Sequence, residues 1–322
     1  MKTRPSWIIA AGLALALCAA FLFPAPVVFA AEGGSAAESV DSVRRASEAY
    51  QEFIDGKRSV TWHDDRADFS NIPESEYFKD GETYSCSDIV KSLRDAAAGT
   101  NDRSESGSGD NDVTSVQYAI LDGGSLPLLA LKADMKMPVV FQTDVCMIMC
   151  YDPAKDEIHL CLAEDTWTKS SIRVNQKGVI ALSTSVSAFE TSYVYRSIDE
   201  NGDIRFLFTA FYDNREAETG DLAEEYRDIY LASYMIPEKE GEDTGDFNYH
   251  TLHRLHGADP TFLYEPSIDI SDQNPAAAFY KNGGTDLVSQ SAVMTAVLES
   301  MDRNGVSART FFADDPAWIP LK

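Results

Sequence analysis

Two hydrophobic rhythms run along the chain. Over residues 39–54 the apolar positions follow a helical repeat. Val40, Val43, Ala46, Ser47, Tyr50, Phe53 and Ile54 fall on one face, and Gly56 follows as a stop. A second helix is predicted from about Ser87, with Ile89, Val90 and Leu93 inward and Gly99 at its end. From Val116 the pattern changes to strands: residues 116–121, 128–133, 139–151 and 158–162 are apolar, with β-branched and aromatic residues. The turn "YDPAKDE" at 151–157 predicts a hairpin, because proline presets one φ and the flanking Asp residues favour reversal. Strands are also expected over 178–183, 191–198 and 204–212, the last two joined through Asn201-Gly202. Residues 221–236 read two ways. Asp221 with Glu224 fits a capping box, whereas Tyr226, Tyr230 and Tyr234 suit a strand face as well as a helix face; a strand from Arg227 is favoured. Near the end, Leu287, Met294, Val297, Leu298 and Met301 line a helix that Asn304-Gly305 terminates. The tail "DDPAWIPLK" sets Trp318 and Leu321 to dock as a short extended segment.

This order of elements predicts an α+β fold, a mainly antiparallel β-sheet core with N-terminal and C-terminal helices. The stretch "YAILDGGSLPLLAL" at 118–131 is read as two buried strands joined by a tight turn at Gly123-Gly124. The polar run over 99–112 is expected to be a flexible acidic loop within a single domain.

Composition adds a location. Lys2 and Arg4 precede an uncharged apolar stretch from Trp7 to Phe23. Pro24 and Pro26 follow, and Val28-Phe29-Ala30 ends in the small-residue pattern of a cleavage site. These features predict a secretory signal peptide over 1–30 and one exported domain over 31–322, secreted or held at the cell envelope. No later stretch is apolar enough to span a bilayer, so no membrane span is expected after cleavage. The formal net charge of −25 argues against nucleic acid and anionic lipid as partners. The expected partner is an extracellular ligand or protein.

Four of the five cysteines lie beyond the leader: Cys86, Cys146, Cys150 and Cys161. In an exported chain an even number permits disulfides. On one extended strand, Cys146 and Cys150 would stand about 13 Å apart and could not bond to each other. A cross-strand partner in Cys161 and a long-range link to Cys86 both remain open, as does a set of buried free thiols.

Candidate chemistry is otherwise thin. His250, His253 and His256 recur at intervals of three in "YHTLHRLHG", a spacing that on a helix would suit Zn²⁺. The alternative is a polar face carrying incidental histidines. His63 stands beside Asp64 and Asp65, and His159 alternates with Ile158 and Leu160 as an outward-facing strand residue would. No G-x-S-x-G, phosphate loop or dinucleotide fingerprint is present. The 52 acidic residues supply too many carboxylate pairs for any one to signify.

The order of pieces resembles a broad group of exported bacterial proteins of unassigned function. The residues that carry the likeness are Tyr50, Phe53, Ile54 and Gly56, then Tyr118 to Asp122, Gly124, Pro127 and Leu129 to Leu131. Tyr151, Trp318 and Leu321 complete it. The resemblance implies a secreted, mostly β protein and supplies no chemistry. In that group's pattern the turn carries a second Asp-Gly and a Glu after the proline, oxygen ligands that would suit Ca²⁺. Here Leu128 takes the place of the Glu, so Ca²⁺ is disfavoured. The expectation is a non-enzymatic binding module; the alternative is a secreted hydrolase, metal-dependent through the three histidines.

Overall fold

A computed structural model describes residues 36–69, 72, 74–99, 112–136, 142–167, 169–199, 201–213, 229–238, 249–257 and 268–321. The predicted signal peptide and nearly all of the acidic loop at 99–112 lie outside them, as does the capping box at Asp221. Contacts divide the chain into two units, Met1–Ser39 and Val40–Lys322. Of the first, only the opening residues of helix α1 (Ala36–Ile54) are described. Both sheets belong to the second.

The first sheet is built on a meander of β4 (Asp112–Leu121), β5 (Leu128–Lys136), β6 (Gln142–Asp152) and β7 (Glu157–Asp165). Three short strands, β1 (Ser59–Thr61), β2 (Ala67–Asp68) and β3 (Thr83–Ser85), extend it beyond β7, with the one-turn helix α2 (Glu74–Tyr77) between β2 and β3. The C-terminal β14 (Ile319–Pro320) pairs with β4 at the other edge. The second sheet is a six-stranded meander from β8 to β13: Ser170–Val174, Val179–Ser185, Glu190–Ile198, Ile204–Asp213, Tyr230–Pro237 and Tyr249–His256. Pairing is antiparallel throughout, except where β1 and β2 run parallel to β7. The structure is thus mainly antiparallel sheet with a few helices.

Strand periodicity explains the layering. In β6, Val145, Met147, Met149 and Tyr151 point to one core, which they share with Ala46, Tyr50 and Phe53 of α1 and with Ile89 and Leu93 of α3 (Cys86–Gly99). Cys146, Ile148 and Cys150 point the other way and meet Ile172, Val174, Ile180 and Ile198 of the second sheet. Both faces of β6 are therefore dry, which is why residues 145–151 read as an unbroken apolar run. The second sheet packs its far face, including Phe208, Ala210, Tyr212 and Tyr234, on Val293, Val297 and Met301 of α5 (Gln290–Arg303) and on Phe311 of α6 (Ala308–Phe311). The layers run helix, sheet, sheet, helix. A further helix, α4 (Pro275–Asn282), starts on an Asn274 cap and covers Leu255 and Leu287.

Two of the predicted local devices have clear structural counterparts. The reversal at 122–127 is a turn, with Gly124 at φ +84° and the Asp122 carboxylate held by Lys177 Nζ at 3.1 Å. The Tyr50 hydroxyl donates to the Pro127 carbonyl at 2.8 Å, joining α1 to that turn. At the C-terminus, Trp318 packs on the inter-sheet core and Leu321 on the helix-side core, so β14 docks as expected. Glu164 of β7 and Arg196 of β10 form an ion pair across the sandwich.

The inter-sheet core predicts a mutational asymmetry. Ile148→Ala removes a fully buried side chain between the sheets and should cost about 2–5 kcal/mol. Val186→Thr, at an exposed position after β9, should stay within about 0.5 kcal/mol. Urea denaturation of both variants checks this. Equal, small losses would show that the two sheets do not share a core.

Candidate functional site

The β6–β7 hairpin turns at 152–157 and places Cys150 opposite His159. Further along, Ile148 pairs with Leu162 but Met149 pairs with Leu160, so Cys161 is an extra residue in β7. This β-bulge breaks the alternation of side chains. Cys161 and Leu162 consequently both face the second sheet, whereas Leu160 faces the helices. Cys150, His159 and Cys161 thus gather on one face.

The contacts are close. Cys150 Sγ lies 2.8 Å from His159 Nε2 and 2.7 Å from Cys161 Sγ. Cys150 is 5% exposed, Cys161 is fully buried, and His159 is half-buried. A loop from the second sheet covers the group: the turn joining β10 to β11, with Gly202 at φ +82°. A Cβ at Gly202 would overlap Cys150 Sγ and stand 2.8 Å from Cys161 Sγ, so glycine is demanded by both backbone and space. Asp199 fixes this turn by accepting from the Asn201 and Asp203 amides and from the Arg205 guanidinium. Arg66, between β1 and β2, reaches Asp203 at 2.9 Å and adds positive charge close to both sulfurs.

These neighbours set the ionisation. The hydrogen bond donated by the Cys161 thiol lowers the Cys150 pKa to about 6, helped by His159 and Arg66 against the opposing effect of burial. The same hydrogen bond, with burial, raises Cys161 well above the ordinary thiol value. His159 is raised, chiefly by its bond to Cys150. Burial pushes Cys86 up to about 11 and Cys146 up to about 12. All four cysteines are free and buried.

Three soft donors within 4.8 Å of one another invite comparison with a metal site. Two thiolates on one tetrahedral Zn²⁺, each bonded at about 2.3 Å, would sit about 3.7 Å apart. The 2.7 Å between these sulfurs is tighter and suits thiol–disulfide chemistry better.

The histidines singled out by spacing do not converge, because β13 is a strand and not a helix. His250 pairs with Glu238 at the surface, and His253 bonds Ser233 on the opposite face. His256 is buried, its Nδ1 lying 2.7 Å from the Gly257 carbonyl oxygen. At about 3.3 Å per residue, His250 and His256 stand roughly 20 Å apart along the strand. His63 approaches Asp80 at 3.7 Å and not its neighbours Asp64 and Asp65. His159 does alternate with Ile158 and Leu160, but it is half-buried at the edge of the inter-sheet core and bonded to Cys150 rather than simply outward-facing. Gly202 was legible as a turn residue, but its contact with the sulfurs, the part of Arg66 and the bulge left no local signal.

Turns from both sheets also converge on a cleft of about 750 Å³, bounded by Asp122, Lys177, Asp199, Asn201, Arg205 and Arg303. It lies beyond the same 199–203 turn that covers the cysteines. Set beside known proteins, the chain matches no family model, no curated protein and no solved structure. The site's own geometry therefore carries the functional argument.

Burial lowers the His256 pKa from 6.5 to about 4. Between these values the unfolded chain binds the proton that the folded chain refuses, so stability falls as pH drops from 6.5 toward 4. A pH series of denaturation midpoints should show His256→Asn losing less over this window than the unchanged protein. Parallel curves would mean that His256 takes up its proton as readily in the fold as out of it.

Proposed function

We propose that this is an exported protein whose chemistry resides in a reversible dithiol–disulfide centre formed by Cys150 and Cys161. Export is supported by the charged and apolar pattern over residues 1–30, which would carry the domain to a compartment where disulfides persist. The observation that carries the redox reading is the contact of the Cys150 sulfur with both the Cys161 sulfur and the His159 ring.

Cys150 is the thiolate at neutral pH, Cys161 holds the remaining proton, and His159 with Arg66 supplies the balancing positive charge. Oxidation removes two electrons and the proton that Cys161 holds and joins Sγ to Sγ; two-electron reduction returns them. Among the described residues no helix is long and apolar enough to cross a membrane. A second reading, a binding module for a polar extracellular ligand, is supported by the cleft over Lys177, Arg205 and Arg303. The two readings are compatible, because Asp199 and Asn201 of the covering turn also line that cleft.

The test is oxidation of the reduced protein with diamide, followed by alkylation in denaturant and non-reducing peptide mapping. The expected product joins the Cys150 and Cys161 peptides, lighter by the two thiol hydrogens, with Cys86 and Cys146 alkylated. Four alkylated cysteines after diamide and after the smaller oxidant hydrogen peroxide alike, or a link involving Cys86 or Cys146, would refute the proposal.

A further inference from the structure

The dithiol reading leaves open what oxidises it, and the covering of the site narrows the choice. Attack by one sulfur on a disulfide requires three sulfurs nearly in line, with carbon substituents at both ends of the incoming molecule. Here Cys161 has no exposed surface and Cys150 keeps 5%. Gly202 presses its backbone on both sulfurs, and no side chain fits between. His159 fills another side, bonded to Cys150 and, through the Asn201 backbone, to the covering turn. The sulfur that retains some exposure is also the one with thiolate character, beside an imidazole that can donate a proton and near a guanidinium tethered to Asp203. Such a site admits a molecule of a few atoms and excludes a peptide disulfide.

We propose, resting on the dithiol reading, that the oxidant of this centre is a small hydroperoxide, hydrogen peroxide or one little larger, which meets Cys150 first. The Cys150 thiolate attacks one peroxide oxygen and the O–O bond breaks. That oxygen, with its hydrogen, stays on sulfur as the sulfenic acid. The departing hydroxide takes a proton from the His159 imidazolium and leaves as water. The Cys161 sulfur then attacks Cys150 Sγ. The S–O bond breaks, and the displaced hydroxide combines with the Cys161 proton as a second water, leaving the disulfide. Peroxide is reduced, the two thiols are oxidised, and no further reactant is needed. Cys161 is already in place at 2.7 Å, so the sulfenic acid should be short-lived.

The experiment follows disulfide formation in the reduced full domain by non-reducing peptide mapping, under equal concentrations of hydrogen peroxide, cumene hydroperoxide or glutathione disulfide. The expected order puts hydrogen peroxide roughly tenfold or more ahead of both bulkier oxidants. In Cys161→Ser, a sulfenic-acid trap such as dimedone should label Cys150 and neither Cys86 nor Cys146. Glutathione disulfide reacting as fast as peroxide, or labelling spread over Cys86 and Cys146, would overturn the inference. If diamide forms the Cys150–Cys161 bond and hydrogen peroxide does not, the hydroperoxide assignment fails while the dithiol reading stands. If neither oxidant forms it, both fail. Peptide mapping of the unsubstituted protein decides the matter even where Cys161→Ser does not fold.

Discussion

The structure depends on the burial of β6 and β7 on both faces. Helices α1 and α3 cover one side and the second sheet covers the other. A strand dry on both sides has no solvent to satisfy its polar side chains, so each must find a partner within its own layer. On the inter-sheet side two polar groups meet that demand: Glu164 by pairing with Arg196 of the opposing sheet, and the Cys150 group by gathering its own members. Single deletions in such pairs are costly because they strand the remaining partner. The same confinement that builds the sandwich thus selects what chemistry it can hold.

Why a thiolate belongs at this spot follows from the bulge. In a regular pairing Cys161 would sit diagonal to Cys150, at about 7–8 Å between backbones. Cys161 is itself the extra residue of β7, set between the Ile148–Leu162 and Met149–Leu160 pairs, and its sulfur lies 2.7 Å from that of Cys150. That contact lowers the pKa of Cys150 where burial alone would raise it, as it does for Cys86 and Cys146. The covering turn then protects the group without entering it, because Gly202 has no side chain to offer.

Much of this architecture was legible in the residues. The strands from Val116 onward follow from apolar runs and turn chemistry, and so do the reversal at Gly124 and the docking of Trp318, all of them local patterns. Cys161 stood open as a cross-strand partner for the same reason: a hairpin turn at 152–157 fixes which residues lie opposite. Several elements escaped, among them the short strands β1, β2 and β3, helix α6, strand β8 and helix α4. Strand β8 (Ser170–Val174) alternates weakly, and α4 owes its existence to the surfaces of Leu255 and Leu287 as much as to its own sequence. The three histidines misled because a period of three is a helix argument, while Leu252 and Leu255 lie on a strand whose register Tyr230–Pro237 sets. Gly202 and Arg66 are far from Cys150 in sequence, and only tertiary packing brings them to it. Local composition is silent on such long-range contacts, and on a bulge that shifts a pairing by one residue.

The central claim is that Cys150, Cys161 and His159 act as one ionising unit inside a dry sandwich. Its most direct measurement is the ultraviolet thiolate absorbance of the reduced protein as a function of pH. Cys86 and Cys146, pushed up to about 11 and about 12, are silent at neutral pH, so the signal there belongs to Cys150. The account predicts a midpoint at about 6 that climbs toward the ordinary thiol value of 9.0 in both His159→Gln and Cys161→Ser. A midpoint already at the ordinary value, or one that neither substitution moves, would contradict it.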